Sequence, residues 1–266
     1  MTAASASRTM VGRASKSILI ELWLIVLVVV IWWAVTVEDA SLYFPSPARI
    51  AGDVADDFAS GQLWEHLIFS GTNLVIGLAL SIVIGVTIGS LLGTSQFAWD
   101  VVGGAVTALR STPGVVLVPV FVVAFGIGAG AKIAIIAVIS MWPILLNTID
   151  GVREAEPTLL DMSRAYRVRA WRVLWYVRIR SAMPQIMTGV RLALSVAITL
   201  LVVSEMYAAT EGLGFYVLKS QREFDVPRTW GGTILLAVFG YVINVLFGLV
   251  EKRTLRWHAA ISGNAV

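Results

Sequence analysis

Cysteine is absent from the 266-residue chain, and only two histidines and four lysines are present. The lack of cysteine excludes disulfides, thiolate metal sites and cysteine nucleophiles. The histidines, His66 and His258, lie far apart in sequence, which argues against a histidine-rich metal site and against Ser/His/Asp catalysis. None of the lysines follows a glycine, so the phosphate-binding pattern G-x-x-x-x-G-K-[ST] is missing. We therefore expect no catalytic residue, no metal and no ATPase site in this chain.

Charge is also scarce, and apolar residues replace it. Charged residues make up 14% of the chain and hydrophobic residues 58%, against roughly 25% and 45–50% in soluble proteins. A helix needs about 20 apolar residues to cross a bilayer. Six runs have that length: 18–37, 68–92, 101–125, 130–149, 185–206 and 230–250. We predict an all-α membrane protein with about six transmembrane helices. The first run is too long for a signal peptide and should remain as an anchor.

The positive charges are grouped, and their grouping predicts orientation. The leader, 1–17, has three basic residues and no acid, whereas 38–65 has one basic and six acidic residues. The insert at 150–184 has seven arginines and four acids. Because basic flanks tend to stay in the cytoplasm, we expect both termini and the insert inside and 38–65 as an external linker. Topology thus accounts for the basic pI without a nucleic-acid partner. The rest of the chain is predicted to consist of a first transmembrane helix at 18–37, a transmembrane core at 66–252 that contains the insert, and a cytoplasmic tail at 253–266.

Small residues and helix breakers indicate how the helices pack. Gly85, Gly89 and Gly93 have G-x-x-x-G spacing, which lets a second helix approach closely. The segment 110–114, which contains Pro113, should break the start of the third span, and the glycine-rich segment 126–130 should form a tight turn.

Ionisable residues inside spans are costly and therefore informative. Arg191 and Glu205 fall at opposite ends of the fifth span, too far apart to pair with each other. Together with Asn147 they are the candidate residues of a translocation path. For Glu205, a hydrogen bond between packed helices is the alternative interpretation.

The insert at 150–184 has the pattern of two short amphipathic helices. Pro157 suits a first helical turn, and Thr158 with Asp161 has the spacing of a capping box. A helix at 158–166 would align three apolar side chains on one stripe, and a second helix is predicted at 169–180. The hairpin is interpreted as a docking element, with a basic hairpin lying on anionic lipid as the alternative. The predicted docking residues are Leu159, Leu160, Asp161, Met162, Ser163, Arg164, Tyr166 and Arg167.

Several stretches in the correct order resemble the permease subunits of bacterial ABC importers, in the subgroup for nitrate, sulfonate, taurine and bicarbonate. These stretches are 109–113 with Pro119, 125–128, 132–134, 143–148, Pro184, Gly189, Arg191, 205–206 and 212–214, so the resemblance covers about 66–252. The family's docking motif, E-A-A with a later glycine and I-x-L-P, falls on 161–163, Arg167 and 177–180. Arginine replaces the motif's glycine at 167 and its proline at 180. Glycine would end the first helix with positive φ at little cost, and arginine would not.

The resemblance implies a type I ABC importer permease in the bacterial cytoplasmic membrane. It implies two cytoplasmic ATP-binding subunits that bind ATP and Mg, a second permease copy forming a homodimer, and an extracytoplasmic substrate-binding protein. The substrate would be a small anionic or organic solute such as a sulfonate, taurine, nitrate or bicarbonate. A stand-alone secondary transporter or channel is the alternative, although such proteins often show internal repeats and none is evident here.

Overall fold

A computed structural model describes residues 23–24, 26–36 and 43–256, and these residues fold into helices joined by short turns. The helices are α1 (Val26–Thr36), α2 (Pro47–Ala59), α3 (Gln62–Thr94), α4 (Gln96–Arg110), α5 (Val118–Phe125), α6 (Ala129–Arg153), α7 (Pro157–Ala165), α8 (Ala170–Tyr207), α9 (Leu213–Arg222) and α10 (Val226–Thr254). A short 3-10 helix, Gly114–Leu117, leads into α5. The predicted all-α fold is confirmed.

Four helices are long and apolar enough to cross a membrane: α3, α6, α8 and α10. They correspond to four of the six predicted spans. The predicted first span, 18–37, overlaps α1 and the described residues 23–24. The other residues of that span, the leader 1–17 and residues 257–266 lie outside the described residues.

The predicted third span, 101–125, is wrong as a single straight helix. The chain bends by 83° between α4 and the helical segment Gly114–Phe125. Pro113 explains the bend, because a proline disfavours helical geometry in the residue before it and donates no backbone hydrogen bond. We expected this break at the start of the span. Since α4 already begins at Gln96, the break instead divides the span in two.

The glycines of α3 allow α6 to pack directly against its backbone. A Cβ atom on Gly89 would lie 2.7 Å from the Leu145 carbonyl oxygen, and one on Gly93 would lie 2.9 Å from the Val152 side chain. These distances are shorter than real contacts, so only glycine fits at the interface. The predicted close helix packing is confirmed, and α3, α6 and α8 form the buried centre of the chain.

The predicted turn at 126–130 is also confirmed. Gly126 and Gly128 have φ values of 78° and 155°, and α6 starts at the next residue. In contrast with the central helices, α10 has only 6% of its most apolar stretch buried. The described residues therefore leave most of its apolar surface uncovered.

The segment predicted as an external linker contains α2, which is anchored to the rest of the chain. Asp57 accepts hydrogen bonds from Tyr216 Oη at 2.7 Å and from Arg228 Nε at 2.8 Å. Burial alone would raise the pKa of Asp57, but the hydrogen bonds from Arg228 and Tyr216 and the charges of Arg228 and Lys219 outweigh burial and lower it. Burial and the hydrogen bond to Asp57 raise the pKa of Tyr216. These contacts hold α2 against α9 and the start of α10.

Candidate functional site

Helix α7 begins at Pro157, one residue earlier than predicted. Its N-cap residue is Glu156, and no side chain caps it, so the predicted capping box of Thr158 and Asp161 does not form. A proline at the first position needs no cap for its missing N–H group. Asp161 instead lies 3.0 Å from Arg164, one helical turn along.

One stripe of α7 is apolar and exposed. Leu159, Met162 and Tyr166 occupy positions i, i+3 and i+7, and their exposed fractions are 40%, 51% and 79%. No residue of α7 is buried. The sequence predicted this stripe, and the structure leaves it without cover from the described part of the chain. We call Leu159, Met162 and Tyr166 the outer stripe.

A second stripe of α7 faces the start of α8 across a cavity of about 440 Å³. Most of the predicted docking residues therefore fall on two faces, the outer stripe and the cavity wall, and Asp161 is exposed and belongs to neither. The cavity is lined by Thr94, Leu160, Ser163, Arg164, Arg167, Val168, Ala170, Val173, Leu174 and Arg178.

The turn after α7 keeps the shape that a glycine would give it. Arg167 has a φ of 50°, in the left-handed region. Its N–H group donates to the Arg164 carbonyl, and the Val168 N–H group donates to the Ser163 carbonyl at 2.9 Å. This pair of bonds is the Schellman arrangement, which usually places glycine where Arg167 stands. Arginine at 167 keeps this turn, although left-handed geometry costs an ordinary residue roughly 1–2 kcal/mol.

The second helix of the insert is not separate. Helix α8 begins at Ala170 and continues for 38 residues through the predicted fifth span to Tyr207. It contains a π-helical turn at Leu174–Arg178 and accommodates Pro184 in its interior. The helix predicted at 169–180 and the span predicted at 185–206 are therefore parts of one helix. At 1.5 Å per residue α8 is about 57 Å long, so α7 is attached to a continuous helix.

Glu205 lies at the other end of α8 in a fully buried cluster. Its carboxylate accepts hydrogen bonds from the Ser70 hydroxyl at 2.7 and 2.9 Å and from the Gly214 N–H group at 2.9 Å. The neighbouring Lys132 is also fully buried and donates to the Ala208 carbonyl. The His66 Nδ1 atom accepts from the Gly212 N–H group. These polar contacts, which we call the buried charge cluster, join α3, α6, α8 and the turn before α9.

Sequence reasoning found Glu205 but missed most of its partners. Ser70 and His66 are single polar residues in an apolar helix, and no spacing marks them as a pair. Lys132 lies near the start of a predicted span, where a basic residue can anchor a helix end or attract an anion. Only the folded chain shows that its side chain points inward.

The structure does not bring the three predicted path residues together. Arg191 forms an ion pair with Glu251 of α10, with 59% of its side chain exposed. Asn147 is partly buried and donates to the Pro143 carbonyl at 2.8 Å. Arg191 and Glu205 stand about 21 Å apart along α8.

These features define a multi-pass membrane protein that presents a short exposed helix, α7, before the long helix α8. Residues 81–256, more than half of the chain, match the family of binding-protein-dependent transport system inner membrane components. The chain therefore belongs to that family and is the permease component of an ABC importer, a transport protein. The family resemblance inferred from the sequence is confirmed.

Similar proteins cover nearly the whole chain. It is 24% identical over 254 residues to the taurine transport system permease protein TauC of Escherichia coli K12, covering 93% of this chain and 92% of TauC. It is 30% identical over 238 residues to the riboflavin transport system permease protein RibX of Chloroflexus aurantiacus, covering 89% of each. Among solved structures, a chain of the MetNI methionine ABC transporter in an inward-facing conformation superposes with a TM-score of 0.58 at 21% identity, covering 74% of this chain and 95% of that one. That likeness supports the type I permease fold.

Proposed function

We propose that α7 is the helix through which this permease docks two cytoplasmic ATP-binding subunits, one on each of two permease copies. The observation that supports this proposal is the outer stripe, which consists of three exposed apolar side chains. No residue of α7 is buried. Exposed apolar patches of this kind mark interaction surfaces. ATP and Mg would be bound by the docked subunits and not by this chain.

The connection between α7 and α8 suits transmission of a displacement. Four residues, 166–169, separate the two helices, and the turn is closed by backbone hydrogen bonds. A rigid turn passes on a movement that a flexible loop would absorb. We propose that closure of the ATP-binding subunits moves α7 and α8 together and so changes access to the substrate path.

The remaining partners follow from family membership and charge. We propose a homodimer of permease subunits and delivery of substrate by an extracytoplasmic binding protein. The excess of arginine in 150–184 supports a cytoplasmic position for α7 and for both termini. The firmly held α2 and the segment 207–229 would then face outward, where the binding protein meets the permease.

For the substrate we propose a small sulfonate such as taurine. The similarity to TauC along nearly the full length of both chains supports this class. The similarity to RibX supports a larger organic solute, and a substrate-binding measurement on the partner binding protein decides between the two.

We still propose residues of the translocation path, but only two of the three that the sequence suggested. Asn147 and Arg191 are partly exposed in the single chain, so we keep them as candidate path residues. Glu205 is fully buried and its carboxylate is occupied by Ser70 and Gly214. For Glu205 we therefore propose a structural role.

The docking proposal is tested with Met162→Arg, which puts a charge in the middle of the outer stripe. We expect loss of co-purification with the ATP-binding subunits and loss of substrate-stimulated ATP hydrolysis. Ala165→Arg adds the same charge at an exposed position outside the outer stripe and serves as the control. Assembly and ATP hydrolysis that are equal in the two variants would contradict the proposal.

A further inference from the structure

The cavity between α7 and α8 is not explained by docking, because the outer stripe points away from it. Its walls combine apolar side chains, Leu160, Val173 and Leu174, with three arginines and no acidic residue. A volume of about 440 Å³ is within the range of small-molecule sites. Such walls suit an amphiphile with an anionic group better than they suit a bare ion.

Two of the three arginines have no acidic partner in the part of the chain that the structure describes. Arg164 pairs with Asp161, but no ion pair is formed there by Arg167 or Arg178. The surrounding segment, 157–180, carries six arginines and one acid. A cavity with this uncompensated positive charge attracts an anion, and guanidinium groups match the geometry of phosphate oxygens.

The cavity lies at the level where a bilayer would place its headgroups. Thr94 lines the cavity and ends α3, whose apolar run stops at residue 92. The adjacent turns of α8 expose Trp171, Trp175 and Tyr176, residue types that concentrate at membrane interfaces. Basic pockets beside membrane helices on the cytoplasmic side are known to bind anionic headgroups.

We propose that this cavity binds the phosphate group of an anionic phospholipid, held by Arg167 and Arg178. The left-handed backbone of Arg167 then matters for the cavity as well as for the turn. Glycine would make the same turn without strain, whereas arginine adds a guanidinium group to the cavity wall. The bound lipid would sit between α7 and α8, directly behind the outer stripe.

The test uses the full-length permease in nanodiscs that contain phosphatidylcholine and phosphatidylglycerol. Native mass spectrometry measures the ratio of the two lipids retained after mild delipidation. The double variant Arg167→Gln, Arg178→Gln removes the two cavity charges that form no ion pair among the described residues, and it leaves Arg164 in place. The control Arg169→Gln, Arg180→Gln removes the same charge from the same segment at positions that do not line the cavity.

We expect the wild-type protein to favour phosphatidylglycerol and the cavity variant to lose that preference by about 25-fold, since one arginine near an anionic surface is worth roughly fivefold. The control variant should change the lipid preference far less. The double variant Arg167→Lys, Arg178→Lys should retain most of the preference. A size-exclusion profile like that of the wild type shows that the variants are folded.

Three results would overturn the proposal. Equal losses in the cavity and control variants would mean diffuse attraction to the surface. Stabilisation by inorganic phosphate, with no difference in lipid ratio between wild type and cavity variant, would assign the site to a free anion. Loss of ATP-binding subunits by the cavity variant in lipid-free detergent, with its lipid ratio unchanged, would assign the arginines to an acidic group on that partner. The lipid ratio is measured without ATP-binding subunits, so failure of the docking proposal leaves this test intact.

Discussion

Replacement of Glu205 by glutamine tests the buried charge cluster most directly. The two side chains have nearly the same shape, so packing is retained, but the negative charge beside Lys132 is lost. Both Glu205 and Lys132 are fully buried. The salt bridges of the described residues do not include this pair, because Lys132 donates to the Ala208 carbonyl. The two opposite charges still favour each other in the low-dielectric interior, so the loss of one leaves the other less compensated.

The hydrogen bonds of Glu205 add to this cost. The Ser70 hydroxyl accepts from the Leu213 N–H group, so its own proton is available to Glu205. Gly214 N–H donates to the same carboxylate. A glutamine amide has one acceptor oxygen and directs N–H groups at the remaining donors. We therefore expect Glu205→Gln to lower the free energy of unfolding by at least about 3 kcal/mol.

The assay is unfolding in mixed micelles by added SDS, followed by tryptophan fluorescence. Glu211→Gln makes the same chemical change at an exposed position of the neighbouring turn and is the control. A double variant with Lys132→Met removes both charges together. Because an apolar replacement of a whole buried pair is often nearly neutral, the double variant should be more stable than the sum of the single losses predicts, by about 1–3 kcal/mol.

The reasoning is refuted if Glu205→Gln unfolds within about 0.5 kcal/mol of the wild type, the size of an ordinary surface substitution. It is also refuted if the losses in the double variant simply add. Additive losses would mean that the two buried charges do not stabilise each other.

Three further outcomes are expected from the same unfolding assay. Gly89→Ala should cost about 1–3 kcal/mol by forcing α3 and α6 apart, whereas Gly104→Ala, whose added Cβ meets nothing within 4 Å, should cost none. Arg167→Gly should leave stability equal or up to about 1 kcal/mol higher, because relief of left-handed strain is partly offset by the greater freedom of unfolded glycine; a loss of stability would contradict this. Asp57→Asn should cost about 1–3 kcal/mol through its lost charged hydrogen bonds with Arg228. Because folding lowers the pKa of Asp57 below the ordinary value of 3.8, its contribution to stability is complete above that value and is lost as pH falls through the folded-state pKa. The stabilities of wild type and Asp57→Asn should therefore converge in acid, and a constant difference would refute the assignment.

Local patterns predicted the features that depend on neighbouring residues. Apolar runs located four long spans, the glycine spacing in α3 predicted its packing face, and Pro157 marked the start of α7 within one residue. The outer stripe could be predicted because a helical period of 3.6 residues fixes which side chains share a face.

Features that depend on distant residues could not be predicted in this way. To predict the position of the 83° bend, one would have to know that α4 begins at Gln96. To predict that α8 is continuous, one would have to know that Pro184 is tolerated inside it. The buried charge cluster joins side chains more than 60 residues apart in sequence, such as Ser70 and Glu205. Composition places each residue in a span but does not show which direction its side chain faces.

The position of the buried charge cluster determines how α8 can move under the proposed function. Helix α8 carries α7 at one end and Glu205 near the other, where Ser70 of α3 and the turn at Gly214 hold it. Between these two ends, α8 packs against α3 and α6 through buried residues from Ile179 to Leu201, so a displacement of α7 is resisted along most of the helix. No residue of the π-helical turn at Leu174–Arg178 is buried, so the turns next to α7 are held less tightly than the rest of α8. The cluster adds a polar anchor at the far end of the packed region, and weakening it should disturb transport even where docking remains intact.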